Sequence, residues 1–269
     1  MKNILGAQFL AGIAILTLTI WGPVVNLPII PMANAQSLLF ITRIPGPGGS
    51  GGGGGGGGTA AKIAGGCNAF ASSGGTTSPD ADTTGANFIV FSVNGDGAGT
   101  VAPANVTDSK SNSAPSLLTF YGGTGAGTRG TIIGYWTNPT VGANHNFTLS
   151  LASSFAAFCW EAWSNMLTSS VVVSGSDVGT SRTQALDTDC QTPSIIPGSG
   201  QRVLFTSAES PTITTFSIDS GFTKTGQIAS GTSEGGSMAS LQQASGSTLA
   251  PTWSMTHPDA CAGAAFKGQ

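Results

Sequence analysis

From residue 59 to the end of the chain, apolar residues come in short runs separated by clusters of Gly, Ser, Asn and Asp. The runs are about five to eight residues long and rich in Val, Ile, Phe, Thr and Trp, which predicts β-strands joined by turns. Ala86-Asn87-Phe88-Ile89-Val90-Phe91-Ser92-Val93 is closed by Asn94-Gly95-Asp96-Gly97, whose Asn-Gly and Asp-Gly pairs accept positive φ. Thr131-Ile132-Ile133-Gly134-Tyr135-Trp136 ends at Asn138-Pro139. In Asn146-Phe147-Thr148-Leu149-Ser150-Leu151 the apolar positions alternate, so Phe147, Leu149 and Leu151 share one face. Arg202-Val203-Leu204-Phe205, Thr252-Trp253-Ser254-Met255-Thr256 and the stretch from Ala260 to Lys267 read the same way.

One segment fits two periods. Phe155, Phe158, Cys159, Ala162, Trp163 and Met166 match helical spacing, while strand spacing puts Phe158, Trp160 and Ala162 on one face and Cys159, Glu161 and Trp163 on the other. Strand-like neighbours and the absence of helix caps favour the strand. Many short strands with regular turn signals predict an all-β, antiparallel β-sandwich of jelly-roll or immunoglobulin-like type, as a single domain over 59–269.

The N-terminus reads as an address. Lys2 precedes an apolar run from Ile4 to Ile20, and Ala33-Asn34-Ala35 supplies the small residues a signal peptidase reads, which places cleavage before Gln36. The rival reading is an uncleaved anchor, for which the run is near minimum length before Gly22-Pro23 breaks it. Residues 36–58 form a Pro/Gly-rich linker with eight consecutive glycines, Gly51 to Gly58. Ordering glycine costs more entropy than ordering any other residue, and this tract has no side chains to bury, so it reads as a flexible tether. It lacks the Gly-Lys-Ser/Thr ending of a phosphate-binding loop.

Composition excludes several roles. A formal charge of -3 with only 9 Lys+Arg offers no cluster for phosphate neutralisation, so nucleic acid is not an expected partner. The Ala, Glu, Lys and Leu richness of long helices is missing.

Catalytic chemistry is sparse. Only His145 and His257 are available as imidazole bases. His145 is expected at an exposed strand end, and His257 precedes Pro258 at a turn. Gly231-Thr232-Ser233-Glu234-Gly235 matches G-x-S-x-G but sits in a Gly/Ser-rich connection without the helix that a nucleophile elbow requires. Asn94, Asp96, Asp108, Asp187 and Asp189 suit turn capping better than calcium, and no metal or cofactor is expected. Glu161 stands out because it lies between Trp160 and Trp163. It is expected to face solvent or pair with an Arg, or else to be a polar group on a ligand-facing sheet. Strand aromatics more often belong to a core, because each buries a large apolar area; Tyr121, Trp136 and Trp163 are the aromatic ligand-binding candidates, and Trp136 and Trp163 are the best placed for exposure because each ends its run beside a polar turn. Asn105-Val106-Thr107 and Asn146-Phe147-Thr148 have the form of glycosylation sequons.

An ordered set of short motifs runs the length of the body. It comprises Thr84-Gly85-Ala86-Asn87, Val106-Thr107-Asp108-Ser109-Lys110-Ser111-Asn112, the run from Asn138 to Phe147, Trp163-Ser164, Ser220-Gly221-Phe222, Pro251-Thr252-Trp253-Ser254 and Ala264-Ala265-Phe266-Lys267. The set resembles a β-sandwich module that recurs in bacterial secreted proteins and in phage structural or tail-associated proteins. The similar proteins usually carry Gly where Ser111 stands and often Gly where Asn165 stands. The resemblance implies the fold but no activity, cofactor or catalytic residue.

Cys67, Cys159, Cys190 and Cys261 lack metal-ligand spacing, and in a secreted chain an even count points to disulfides. The first and last strands of a sandwich are often neighbours, so the expected pairing is Cys67–Cys261 with Cys159–Cys190. The overall expectation is a non-catalytic, secreted or cell-surface β-sandwich acting in surface structure, adhesion or recognition of a surface glycan or other extracellular ligand, touching a membrane only through an uncleaved leader. The alternatives are a virion or tail-associated module and a secreted hydrolase built on Glu161.

Overall fold

A computed structural model describes residues 58–70, 76–95, 98, 101–118, 121–122, 130–151, 156–168, 178–181, 189–192, 194–197, 200, 202–210, 215–230, 234–244, 246–256 and 260–269. The expected leader, the linker up to residue 57, Asp96, Asp187, His257, Gly231 to Ser233 and the side chain of Tyr121 lie outside the described residues. Among the described residues there is no α-helix, and the chain is an antiparallel β-sandwich, as the turn and strand signals predict.

The first half of the body supplies β1 (Ala61–Phe70), β2 (Thr76–Thr77), β3 (Phe88–Gly95), β4 (Val106–Asp108), β5 (Ser116–Leu117), β6 (Tyr121–Gly122), β7 (Gly130–Thr137), β8 (Phe147–Leu149) and β9 (Ala156–Ser164). They form a large sheet in the order β1-β9-β3-β7-β5, with β6 also on β7, and a small sheet β2-β8-β4. The second half supplies β10 (Val178–Ser181), β11 (Asp189–Gln191), β12 (Arg202–Ser210), β13 (Ser217–Ile218), β14 (Thr223–Ser230), β15 (Glu234–Gln243), β16 (Thr252–Ser254) and β17 (Ala260–Lys267). These form a large sheet β10-β17-β12-β15-β14 and a small sheet β11-β16-β13. The ambiguous segment is therefore the strand β9.

The two halves repeat one topology. With β5 and β6 taken as one position, each half has eight strands in which the large sheet runs first-eighth-third-sixth-fifth and the small sheet second-seventh-fourth. Each is a jelly roll whose fifth strand lies on the large sheet. The large sheets pack face to face: β3 faces β12, β9 faces β14 and β15, and β17 faces β6 and β7, the pattern of an approximate two-fold axis between the third strands.

Each large sheet is thus covered on both faces. On its outer face the first packs Ile89, Phe91, Val93, Trp136, Phe158 and Trp160 against Val106, Phe147 and Leu149 of its small sheet. In the second half Cys190, Ala208, Phe216, Ala239 and Trp253 make the equivalent core. Phe88, Val90, Ile133, Trp163, Val203, Phe205 and Phe266 fill the space between the halves. Every residue of β3 and of β12 is buried as a result, so neither shows the period-two alternation of a one-sided strand.

The cysteine pairing differs from expectation. The bonds are Cys67–Cys159 and Cys190–Cys261, one within each half. First and last strands are indeed neighbours, but within each jelly roll: Cys67 on β1 stands opposite Cys159 on β9, while Cys190 on β11 reaches across its half's core to Cys261 on β17. Loops of this size can contribute about 4 kcal/mol per bond through the unfolded state.

Several turn residues hold the corners. Ser111, Asn138, Asn144 and Asn165 adopt positive φ of 58°, 48°, 54° and 56°. Asn87 donates through Nδ2 to the Met166 carbonyl at 2.7 Å, and its Oδ1 accepts from Met166 N at 3.1 Å, which ties β3 to the end of β9. The backbones at Ser111 and Asn165 both need the left-handed region that Gly enters without strain. Replacing Ser111 by Gly should raise stability by about 0.5–1 kcal/mol, because the relief of the left-handed backbone exceeds the added unfolded-state entropy. Comparative thermal melts of Ser111→Gly and the parent check this; an unchanged or lower midpoint would count against strain at that turn.

Candidate functional site

A cleft with a mixed polar and apolar lining opens where the two halves meet along β1, β9, β14 and β15. It measures about 380 Å³ and is lined by Lys62, Trp163, Gly221, Thr223, Ser240, Leu241 and Gln242. The side chain of Glu161 is fully buried beside it. A β-bulge between Lys62 and Ala64 shifts the register of β1 on β9, and Lys62 Nζ donates to Glu161 Oε1 at 2.6 Å. A Cβ at Gly65 would lie 2.9 Å from Lys62 Cε and from the Trp160 carbonyl oxygen, so the lysine can cross there only over a glycine. Oε1 also accepts from Ser240 Oγ at 3.2 Å and from the Thr225 hydroxyl, and Oε2 accepts from Trp163 Nε1 at 2.9 Å.

Four donors from β1, β9, β14 and β15 therefore converge on one carboxylate. A buried carboxylate needs such partners, because desolvating it alone costs several kcal/mol. The ion pair lies within the first half, and the Thr225 and Ser240 hydroxyls join its carboxylate to the second. Every group hydrogen-bonded to Glu161 among the described residues is a donor.

The aromatic candidates lie elsewhere than expected. Trp136 and Trp163 are each only 4% exposed. Trp136 packs on Phe91 and donates to the Ser113 carbonyl at 2.7 Å; Trp163 packs edge-on against Phe205. Their expected exposure fails because both faces of the first large sheet are covered, so the end of an apolar run is not the edge of the core. Of the two, Trp163 alone reaches the cleft, as part of its wall. Gly221 and Trp163 meet there from opposite halves. Thr223, Ser240 and Gln242 escaped the sequence reading, since nothing local marks a polar residue that a second sheet will turn into a cleft wall.

His145, expected at an exposed strand end, is fully buried. Its Nδ1 is 2.8 Å from Thr83 Oγ1, its Nε2 is 3.0 Å from Asp108 Oδ2, and its ring stacks near Phe147. This resembles a hydroxyl–imidazole–carboxylate relay, but all three members are buried, and Thr83 also accepts from Gly142 N at 3.1 Å. Asp108 further accepts from Lys110 N, Asn112 N and Asn112 Nδ2, as a turn cap does. Burial is the strongest influence on Asp108 and raises its pKa, but hydrogen bonds from His145 and Asn112 together outweigh it and hold the carboxyl below its ordinary value.

Asn94, one of the candidate calcium oxygens, lies in the interface between the halves, where it accepts from Thr131 Oγ1 and Ser207 Oγ, each at 2.5 Å. Asp189 accepts from Ser254 Oγ. Among the described residues no three His, Cys, Asp or Glu stand together as a metal site would need, and no helix is long and apolar enough to cross a membrane. No family model, curated protein or solved structure matches the chain.

Two outcomes follow from this chemistry. Lys62→Met should lower stability by about 3 kcal/mol, because it leaves Glu161 buried without its cation. Adding Glu161→Leu should recover part of that loss; equal unfolding free energies for the single and double variants would show that the pair is uncoupled. The second concerns acid. A folded pKa below the unfolded value gives stability that is present above the unfolded pKa and is lost as pH falls through the folded one. Denaturation of Asp108→Asn between pH 5 and 2 (about the carboxylate range) should accordingly show a shallower acid limb than the parent, and parallel limbs would argue against this role.

Proposed function

We propose that the chain is an exported, non-catalytic β-sandwich that serves surface structure, adhesion or ligand recognition outside the cell. The observation that carries this reading is the way its chemistry-bearing side chains are spent on scaffold. Glu161 is saturated by donors, Asp108 and His145 lock a corner, and all four cysteines are in disulfides. The two disulfides fit an extracellular protein, because thiols in a reducing cytosol stay free. Jelly rolls serve capsids and lectins alike, so the architecture alone selects no partner; the expected leader and tether favour export and display over a virion part. Expression of the full chain in an exporting bacterial host tests the reading. The medium or cell surface should yield a mature protein whose N-terminal residue is Gln36, with no thiol reactive under denaturing, non-reducing conditions. Cytosolic retention with the leader intact and titratable thiols would defeat it.

A further inference from the structure

We infer that the cleft between the two jelly rolls is a binding site for one neutral sugar residue. This names a ligand class for the recognition version of the function proposed above.

The duplication itself isolates the site. The third strands align on their buried serines, Ser92 and Ser207, which occupy equivalent inner positions. The registers then pair each residue of one half with a counterpart in the other. Val90 stands between Glu161 and Tyr135, and Phe205 stands between Ala264 and Ser240. Two residues along, Phe88 lies between Trp163 and Thr137, and Val203 between Phe266 and Gln242. Glu161 thus corresponds to Ala264, Trp163 to Phe266, Ser240 to Tyr135 and Gln242 to Thr137.

The two-fold places β9 on β15 and β17 on β7. At the β17–β7 corner Tyr135 fills the space, its ring 5.4 Å from Phe266 and 5.7 Å from Phe88. At the β9–β15 corner Ser240 takes the tyrosine's place, the alanine has become Glu161, and a cleft of about 380 Å³ stands open. A cavity of this size fits the low end of small-ligand sites, which favour interfaces between domains.

The lining selects the ligand's chemistry. Lys62 and Glu161 cancel in charge, so the cleft carries no net attraction for an anion or a cation. Thr223 and Gln242 are exposed, and among the described residues no partner takes up their side-chain hydrogen-bonding groups. Lys62 Nζ has three N–H donors, of which Glu161 takes one. Hydroxyl, carboxamide and ammonium groups beside the partly exposed Leu241 match a compact ligand with many hydroxyls and little apolar area, while the buried Trp163 closes the base of the cleft.

Saturation-transfer NMR and calorimetry of the mature protein test this with glucose, galactose, mannose and N-acetylglucosamine at millimolar concentration; glucuronate and glucosamine serve as charged comparators. At least one neutral sugar should bind, with affinity insensitive to salt. Gln242→Ala and Thr223→Val should each weaken it by about five- to tenfold, the loss of roughly one hydrogen bond, at unchanged melting temperature. Ser240→Tyr, which copies the twin corner, should abolish binding. The inference is overturned if no neutral sugar binds, if a charged comparator binds more tightly, or if Gln242→Ala and Thr223→Val both bind like the parent. The export experiment reads a different property, so an exported protein that ignores sugars would defeat this inference alone.

Discussion

The structure depends on one constraint: neither large sheet can leave its inner face in water. Phe88, Val90, Ile133 and Trp163 from the first half close against Val203, Phe205 and Phe266 from the second. Burying an aliphatic or aromatic side chain of this kind is worth about 1.5–3 kcal/mol, so a separated half would expose a costly apolar face. The small sheets solve the same problem on the outer faces. The body is best understood as four layers, in which two jelly rolls share their central seam.

An apolar seam alone would tolerate sliding. Polar groups inside it specify one register. Asn94 accepts from Thr131 and Ser207 and donates to Ser92 at 3.1 Å, and Glu161 gathers donors from four strands. A shift by one residue would turn these groups away from their partners and strand buried polar atoms, each costing about 1–3 kcal/mol. Each disulfide lies within one half and fixes that half internally. The contact between halves therefore rests on packing, on these two polar nodes and on the backbone bridge of Met166 with Gly268.

The repeated topology also shows where chemistry concentrates. Equivalent positions face the same packing task, yet Tyr135 and Phe266 fill one corner while Ser240 and Glu161 hold the other. Asn87, Asp108, Asn112 and Asn165 serve as corners and caps of the scaffold, so the difference between the two corners of the seam is where this chain's chemistry is distinctive.

What the sequence determined by itself was local. Backbone preference is written within a few residues, so the strands and the one-sided alternation of Phe147-Thr148-Leu149 were legible, as was the strand nature of Ala156–Ser164, whereas Asn94 and Gly95, which read as a turn, continue β3. The tertiary structure decided everything that needs a second surface. Burial of Trp136, Trp163 and His145, the pairing of Cys67 with Cys159 and the ion pair of Lys62 with Glu161 depend on which layer covers which face. The repeat itself was invisible, because Phe88-Ile89-Val90-Phe91-Ser92 and Val203-Leu204-Phe205-Thr206-Ser207 share size and hydropathy more than identity. Cores accept many apolar side chains of suitable volume, so two copies of a jelly roll can keep one topology while their sequences drift apart.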